Sequence, residues 1–349
     1  MKIFHICAGW QKWNGAANIA RMIMDEQRRE GHEVSSATWA KVRELRAADE
    51  VWIHCGWLPC LWWAALWGRN VRWMPEACYD PVRLRYHGWK KWLVGPIERW
   101  CLRRCSKIVA TCEAEAEWIR AYEPRIKSIE VTDIKRFFNL NPVNPVNPVK
   151  KDLHLLYLGR RHPLKGLSYL ETALATYYNK WSSAPSSLAP TTACADNPSS
   201  NPSRKAATYY NKCPIEFRVV SDAFGDELER VWDWCDVLVL PTLSENFGLV
   251  IAEALERGKC VITTDGAPAW GEGLSRMERV EGLTQRRRDA ECAEMFSRVE
   301  HVERVEGGVW SGYGGRLIYL KGYRDGTDEE RVELLKKAID MLKHDGNMV

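Results

Sequence analysis

The run CDVLVLPTLSENFGLVIAEALERGKCVITTD, residues 235–265, restricts the fold more than any other stretch of the chain. VLVL and CVITT are short, apolar throughout and rich in β-branched residues, so neither has the polar alternation of a strand with one wet face. A helical pattern lies between them and stops at Gly258. Two strands buried on both faces and joined through a helix belong to a parallel sheet covered by helices on each side. Ligands of such sheets bind beyond the carboxyl ends of the strands, where the loop holding Glu245 must lie.

The same grammar recurs on both sides of a proline-rich interruption. MKIFHICAG reads as a strand, NIARMIMDEQRREG as a helix ending at Gly31, AADEVWIHCGW as a strand, and SKIVATCEAEAEWIRAY as a strand followed by an acid-started helix. NLNPVNPVNPVKKD then repeats Asn-Pro-Val three times, and each proline holds its own φ and biases the residue before it away from helix. Alternation resumes with DLHLLYLG, GLSYLETALATYY, EFRVV and the run above. We therefore expect an α/β chain of two Rossmann-like domains, 1–140 and 151–330, joined by a linker at 141–150. A Ser/Pro/Ala/Asn-rich stretch at 181–205 is expected to be a flexible insertion, and 331–349 an amphipathic C-terminal helix.

Length and composition bound the reading. At 349 residues the chain has room for two cores of ordinary size, and 28% charged against 46% apolar residues fits a soluble protein. The opening residues lack a secretory signal and the longest apolar stretch, LPCLWWAALWG, is too short for a bilayer span, so a cytoplasmic protein is expected. Twelve scattered cysteines without a C-x-x-C pair read as reduced, small apolar residues. Charge is uneven: residues 1–150 hold 24 Lys+Arg and 16 Asp+Glu, a balance of +8, which leaves −4 for the rest of a chain of net +4. Within 83–107, eight cations and one acid interleave with Trp89, Trp92 and Trp100. That mixture suits an anionic membrane surface, with nucleic acid the less favoured partner.

Glu245 and Glu253 are the chemistry-bearing pair of the opening run. With Asn246 as cap, Phe247 and Gly248 would open the helix and offer free N–H groups and a positive dipole end to an anion or polar ligand. Glu253 would then lie about 10 Å up the helix. Read by spacing alone, Glu253 is equally an i, i+4 partner of Arg257 on a solvated face.

The context resembles the retaining glycosyltransferases of GT-B fold, glycosyltransferase family 4, which act in lipopolysaccharide core and capsule synthesis. The resemblance is densest in PTLSENFGLVIAEALERGKCVITTDGAP, with its E-x7-E spacing, and recurs in LHLLYLGRRHPLKGL, which is similar to the family's strand-G-R-x-x-x-x-K-G. It implies two facing domains with a cleft between them and a last helix, 331–349, that packs back on the first domain. It further implies that Glu245 binds hydroxyls of the transferred sugar, that Glu253 binds ribose, and that Asn246, Phe247 and Gly248 border the donor. Arg160 and Lys165 would clamp the donor diphosphate, two fixed cations that stabilise a departing anion without a metal. WNGAANIARMIMDEQ resembles the family's first glycine loop, with Gly15 near the donor phosphate; no G-x-G-x-x-G follows this strand, which counts against hydride transfer. His54 would face the cleft. RWMPEACYDP departs from the family's turn, leaving Glu76 and Asp80 as acceptor-side candidates. The implied activity is sugar transfer from a nucleotide-sugar to a glycan or lipid-linked acceptor, with retention and with neither metal nor cofactor. A non-transferring, epimerase-like enzyme on the same donor and a catalytically silent membrane-binding protein are the competing readings.

Overall fold

The computed structural model describes residues 1–10, 15–56, 59–86, 88–140, 153–182, 215–221, 223–272, 303–305, 309–312 and 317–344. The linker at 141–150 and residues 183–205 of the expected insertion lie outside them. The chain divides into two compact units. The first is Met1–Asn139 with Ser244–Leu249 and Ala267–Ser275, and the second is Leu140–Leu243, Val250–Gly266 and Arg276–Val349. The units part near residue 140, and two short segments from the later half belong to the first unit.

In the first unit six strands pair in parallel: β1 (Lys2–Cys7), β2 (Glu33–Ala37), β3 (Glu50–His54), β4 (Val71–Met74), β5 (Lys107–Ala110) and β6 (Ile129–Val131). Their order is β2-β1-β3-β4-β5-β6. The central β3 is buried along its whole length, and its register sets His54 beside Cys7 of β1. The helices are α1 (Gly15–Arg29), α2 (Val42–Ala47), α3 (Pro59–Trp67), α4 (Pro81–Tyr86), α5 (Gly88–Arg104) and α6 (Glu113–Tyr122). Ile6, Ile53, Trp73 and Ile108 of the sheet pack with Leu61 of α3, Leu102 of α5 and Ile119 of α6 in one core. Helix α1 buries Ile19, Ile23, Met24 and also Gln27, and ends with Arg28 and Arg29 where cations suit the dipole.

The second unit holds β7 (Leu153–Leu158), β8 (Ile215–Val220), β9 (Val237–Leu240), β10 (Cys260–Thr264), β11 (Glu303–Val305), β12 (Val309–Gly312) and β13 (Leu317–Leu320). They are ordered β11-β12-β13-β10-β9-β7-β8; the five strands from β13 to β8 are parallel, and β12 and β11 run antiparallel at one edge. Its helices are α7 (Leu167–Ser182), α8 (Asp226–Trp234), α9 (Leu249–Glu256) and α10 (Asp328–His344). The C-terminal helix corrects an expectation. Leu335, Ala338 and Ile339 of α10 join Leu170 and Leu174 of α7 and Ile318 of β13 in the core of this unit. Full burial of Leu335 and Ile339 is worth about 1.5–3 kcal/mol each, so the apolar face is used here, where a return to the first domain was expected.

Both sheets share one topological device. The first strand of each, β1 or β7, has its successor on one side and the third strand on the other, and the crevice at such a reversal is where parallel sheets take ligands. None of the nine described cysteines is in a disulfide, and most are buried.

Candidate functional site

At the reversal in the second sheet, the loop after β7 and the loop after β9 are bound to each other. Thr242 donates its hydroxyl to the carbonyl of Leu164 at 3.0 Å, and the N–H of Leu243 donates to the same oxygen at 2.8 Å. Their approach leaves no room for a side chain at Gly166, where a Cβ would stand 1.9 Å from the carbonyl oxygen of Pro241 and φ is +66°. Gly266, after β10, is under the same constraint, since a Cβ there would stand 2.0 Å from the Thr242 carbonyl. Thr264 donates to that carbonyl and accepts from the N–H of Gly266. Three strand ends are thus held together by backbone acceptors and threonine hydroxyls. None of these residues was singled out from the sequence. The glycine closing the R-x-x-x-x-K-G pattern was the available signal.

This framework holds the two cations. Arg160 follows β7, exposed, with its carbonyl accepting from the Tyr157 hydroxyl at 2.9 Å. Lys165 closes a short 3-10 turn, Pro163–Lys165, whose first N–H groups include that of Leu164, bound at 3.2 Å by His162 Nδ1. Glu253 lies in α9 of the same unit, and burial raises the pKa of its carboxyl. The i, i+4 reading fails for its side chain: the Arg257 guanidinium donates to the backbone carbonyl of Glu253 at 3.3 Å and pairs with Glu229 at 2.9 Å.

The start of α9 also departs from the expected cap. The helix begins at Leu249, preceded by Gly248 at φ +71°, so Phe247 and Gly248 precede it and Glu253 lies only about 6 Å beyond its first residue. Asn246 is engaged in the first unit. The Thr111 hydroxyl stands 2.8 Å from both Asn246 Oδ1 and Glu115 Oε2, yet it has one proton, while Asn246 Nδ2 has no partner among the described residues. Turning the amide over resolves both, with Nδ2 donating to Thr111 and Thr111 donating to Glu115. Phe247 is buried between Phe138 and Trp270, and its carbonyl accepts from the Trp270 indole at 2.5 Å. The Glu245 carboxylate accepts from the N–H of Asn246 at 3.1 Å. Gly15 is the exposed first residue of α1, and a Cβ there would meet only Leu249 Cδ1 at 3.9 Å.

At the carboxyl edge of the first sheet the three acceptor-side candidates are buried. Asp80 caps α4, accepting from Val82 N at 2.8 Å, and also accepts from the Ser244 hydroxyl, which in turn accepts from Arg83 Nε at 2.9 Å. His54 and Glu76 are brought together, Nδ1 to Oε1 at 3.7 Å. Glu76 and Ala77 both take the left-handed conformation, φ +57° and +58°, and the N–H of Ala77 is held by Glu115 at 2.6 Å. Burial lifts the carboxyl pKa of Glu76 well above its ordinary value and depresses the imidazole of His54.

Helix α5 settles whether its tryptophans are core. Glu98, Cys101 and Leu102 face inward, whereas Trp89, Trp92, Leu93, Ile97 and Trp100 are exposed on the opposite face, Trp92 by 84%. Arg104 lies over the Trp100 ring at 5.1 Å, while Arg99 donates to the Tyr122 carbonyl at 3.2 Å and Arg103 pairs with Glu123 at 3.4 Å. No helix among the described residues is long and apolar enough to cross a membrane.

Comparison with known proteins follows the same division. Residues 36–132 match the family described as glycosyl transferase 4-like domain, and residues 152–298 match glycosyl transferases group 1. No curated protein matches the chain in sequence. Among solved structures, HepE from Anabaena, in a complex with UDP-glucose, superposes with TM-score 0.54 at 13% identity, covering 100% of this chain and 92% of that one. Sucrose-phosphate synthase from Thermosynechococcus elongatus does so with TM-score 0.50 at 14% identity, covering 76% and 81%. At such identities the likeness is one of fold.

Proposed function

Because the chain belongs to the GT-B glycosyltransferases of the group 1 and 4-like families, we propose that it moves a sugar from a nucleotide-sugar to a glycan or lipid-linked acceptor in cell-surface polysaccharide or lipopolysaccharide synthesis. The observation that carries this reading is the laced strand ends of the second unit, which hold Arg160 and Lys165 at the reversal of the sheet. As the glycosidic bond breaks, negative charge gathers on the departing nucleoside diphosphate. Two cations fixed in advance stabilise that charge without reorganising, which is the part a metal would otherwise play. Glu253, half-buried, is suited to accept from ribose hydroxyls, and Glu245 from hydroxyls of the transferred sugar. The sugar is delivered with retention, the departing phosphate taking the acceptor's proton. HepE is bound to UDP-glucose, which makes uridine nucleotides the first donors to try.

The first unit presents the acceptor in this reading, and α5 seats it on the membrane. A face of tryptophan, leucine and isoleucine with Arg104 over the Trp100 ring is the composition that enters an anionic headgroup layer. The test is a thermal-shift screen with UDP-, GDP-, ADP- and CMP-sugars on the wild type and Glu253→Ala. Bound donor at a hundredfold excess over Kd adds about 2.7 kcal/mol. A wild type that none of the four stabilises overturns the reading, and a variant stabilised as much as the wild type removes Glu253 from the ribose. Donor converted to an isomeric sugar nucleotide without acceptor would mark an epimerase instead.

A further inference from the structure

Behind the first sheet's carboxyl edge runs a buried line of polar groups that sugar transfer does not require. His5 Nε2 lies 2.7 Å from Gln27 Oε1, and His5 Nδ1 lies 2.9 Å from His54 Nε2. His54 Nδ1 then faces Glu76 Oε1 at 3.7 Å. All four residues are buried, Trp52 stacks on both imidazoles, and neither His54 Nδ1 nor Glu76 Oε1 has a hydrogen bond among the described residues.

Counting protons along the line leaves two consistent states. If Gln27 presents its carbonyl, His5 carries its proton on Nε2 and offers a bare Nδ1. His54 then carries its proton on Nε2 and turns a bare Nδ1 to Glu76, which must supply a proton itself. If Gln27 presents its NH₂ instead, both imidazoles carry the proton on Nδ1 and Glu76 has only to accept, the role a carboxylate fills best. The surroundings decide. Cys55 and Cys7 lie near Glu76, and the nearest charged groups are Glu115, whose own carboxyl is pushed up by burial, and Arg83; Arg28 faces His5. One cation set against burial and a neighbouring acid does not favour a second buried carboxylate.

We propose that Gln27, His5 and His54 hold Glu76 as a neutral acid that donates a hydrogen bond to His54 Nδ1, making Glu76 the residue that locks the Glu76–Ala77 turn and not a proton acceptor. The turn needs such a lock. Two successive left-handed residues with side chains cost about 1–3 kcal/mol each and persist only when over-determined. Glu115 fixes the Ala77 N–H from one side, and the array fixes the Glu76 side chain from the other. The 3.7 Å between Nδ1 and Oε1 is longer than a hydrogen bond, so the proposed bond requires the Glu76 side chain to turn toward His54. Gln27 and His5 are thus positioning residues, acting through His54 on the loop that leads to Asp80.

The proposal borrows the acceptor role of this loop from the reading above, but its test needs no substrate, so either can fail alone. The full chain is labelled with ¹⁵N-histidine and the tautomers are read by long-range proton–nitrogen correlation. The two imidazoles that do not titrate across neutral pH are expected to be both Nε2–H. In parallel, the infrared band of a protonated carboxyl is expected at neutral pH and is lost in Glu76→Gln. At about pH 4, where the unfolded chain also largely protonates this carboxyl, that variant, which keeps a donor, should melt within about 2 °C of the wild type. Two Nδ1–H tautomers, an imidazolium, or a wild-type minus Glu76→Gln difference spectrum without a protonated-carboxyl band overturns the proposal. If the variant does not fold, the wild-type tautomers decide alone.

Discussion

The carboxyl edges of the two sheets share a strand order and differ in what fills them. In the first unit the edge is occupied by side chains withdrawn from water: two imidazoles bonded to each other and to an amide, and buried carboxyls of which Glu115 is held by the Ala77 N–H and Asp80 by the Ser244 hydroxyl. In the second it is occupied by backbone, with glycines admitting a carbonyl at each crossing and cations set beyond it. A reversal in strand order therefore provides a place, and the residue types at the strand ends decide whether that place is a rigid polar wall or a cationic seat.

Substitution at a backbone crossing breaks the contrast most severely. Gly166→Ala drives a Cβ into the Pro241 carbonyl at a positive φ, and we expect a loss of about 3–5 kcal/mol in urea unfolding. Gly15→Ala, with an open first turn around it, should stay within about 0.5 kcal/mol, and equal effects at both would show that the crossing is not the constraint. Next in size, Arg160→Ala and Lys165→Ala should each lower kcat by about a hundredfold or more with unchanged melting. A fall in KM-limited binding with kcat intact would assign them to ground-state affinity instead.

The polar wall predicts a pH dependence of mixed sign. His5 is depressed from 6.5 to about 4 by burial, so below 6.5 the unfolded chain takes a proton that the folded chain refuses. Its contribution, roughly 3 kcal/mol, is full above 6.5 and lost as pH falls through about 4, and His54 acts in the same direction. Glu76 works the other way. Its raised pKa means that the folded chain keeps a proton the unfolded chain sheds above 4.5, so stability from this group is full below 4.5 and declines as pH rises. The two trends oppose each other between 4.5 and 6.5. Glu76→Gln removes one of them, and urea titrations should show stability rising with pH in that window more steeply than in the wild type, by about 1.4 kcal/mol per pH unit. An unchanged slope would mean that Glu76 is already ionised.

What was legible in the chain was what neighbours in sequence determine. VLVL and CVITT were readable as buried strands because burial on both faces leaves its mark residue by residue. The edge strand β2, EVSSA, left no such mark, since it is largely exposed and apolar only at Val34 and Ala37. The cap at Asn246 was inferred from local rules and was overruled by Thr111, 135 residues away. His54 was visible as a strand-end histidine, but its partners, His5 and through it Gln27, are distant in sequence, and only strand register brings them into line. The same holds for Leu164 and Thr242, 78 residues apart, whose crossing explains a glycine that the motif merely contains. Tryptophan was the ambiguous residue. Trp73 and Trp92 are equally apolar on paper, yet one is 0% and the other 84% exposed.

That last pair gives the mildest test. Trp73→Ala opens the core of the first sheet and should cost about 3–5 kcal/mol. Serine at both Trp89 and Trp92 removes no packed contact of the core, so stability should move by about 0.5 kcal/mol or less. The same double substitution should weaken binding to vesicles of phosphatidylglycerol and phosphatidylcholine by about tenfold or more, because the rings lose the apolar layer they would enter. Salt discriminates between the two parts of the face. Raising ionic strength screens Arg104 but leaves the tryptophan contribution in place, so the wild type should retain more binding at high salt than the double variant. Equal retention would mean that charge alone holds α5 to the vesicle, and the exposed rings would then need another occupant.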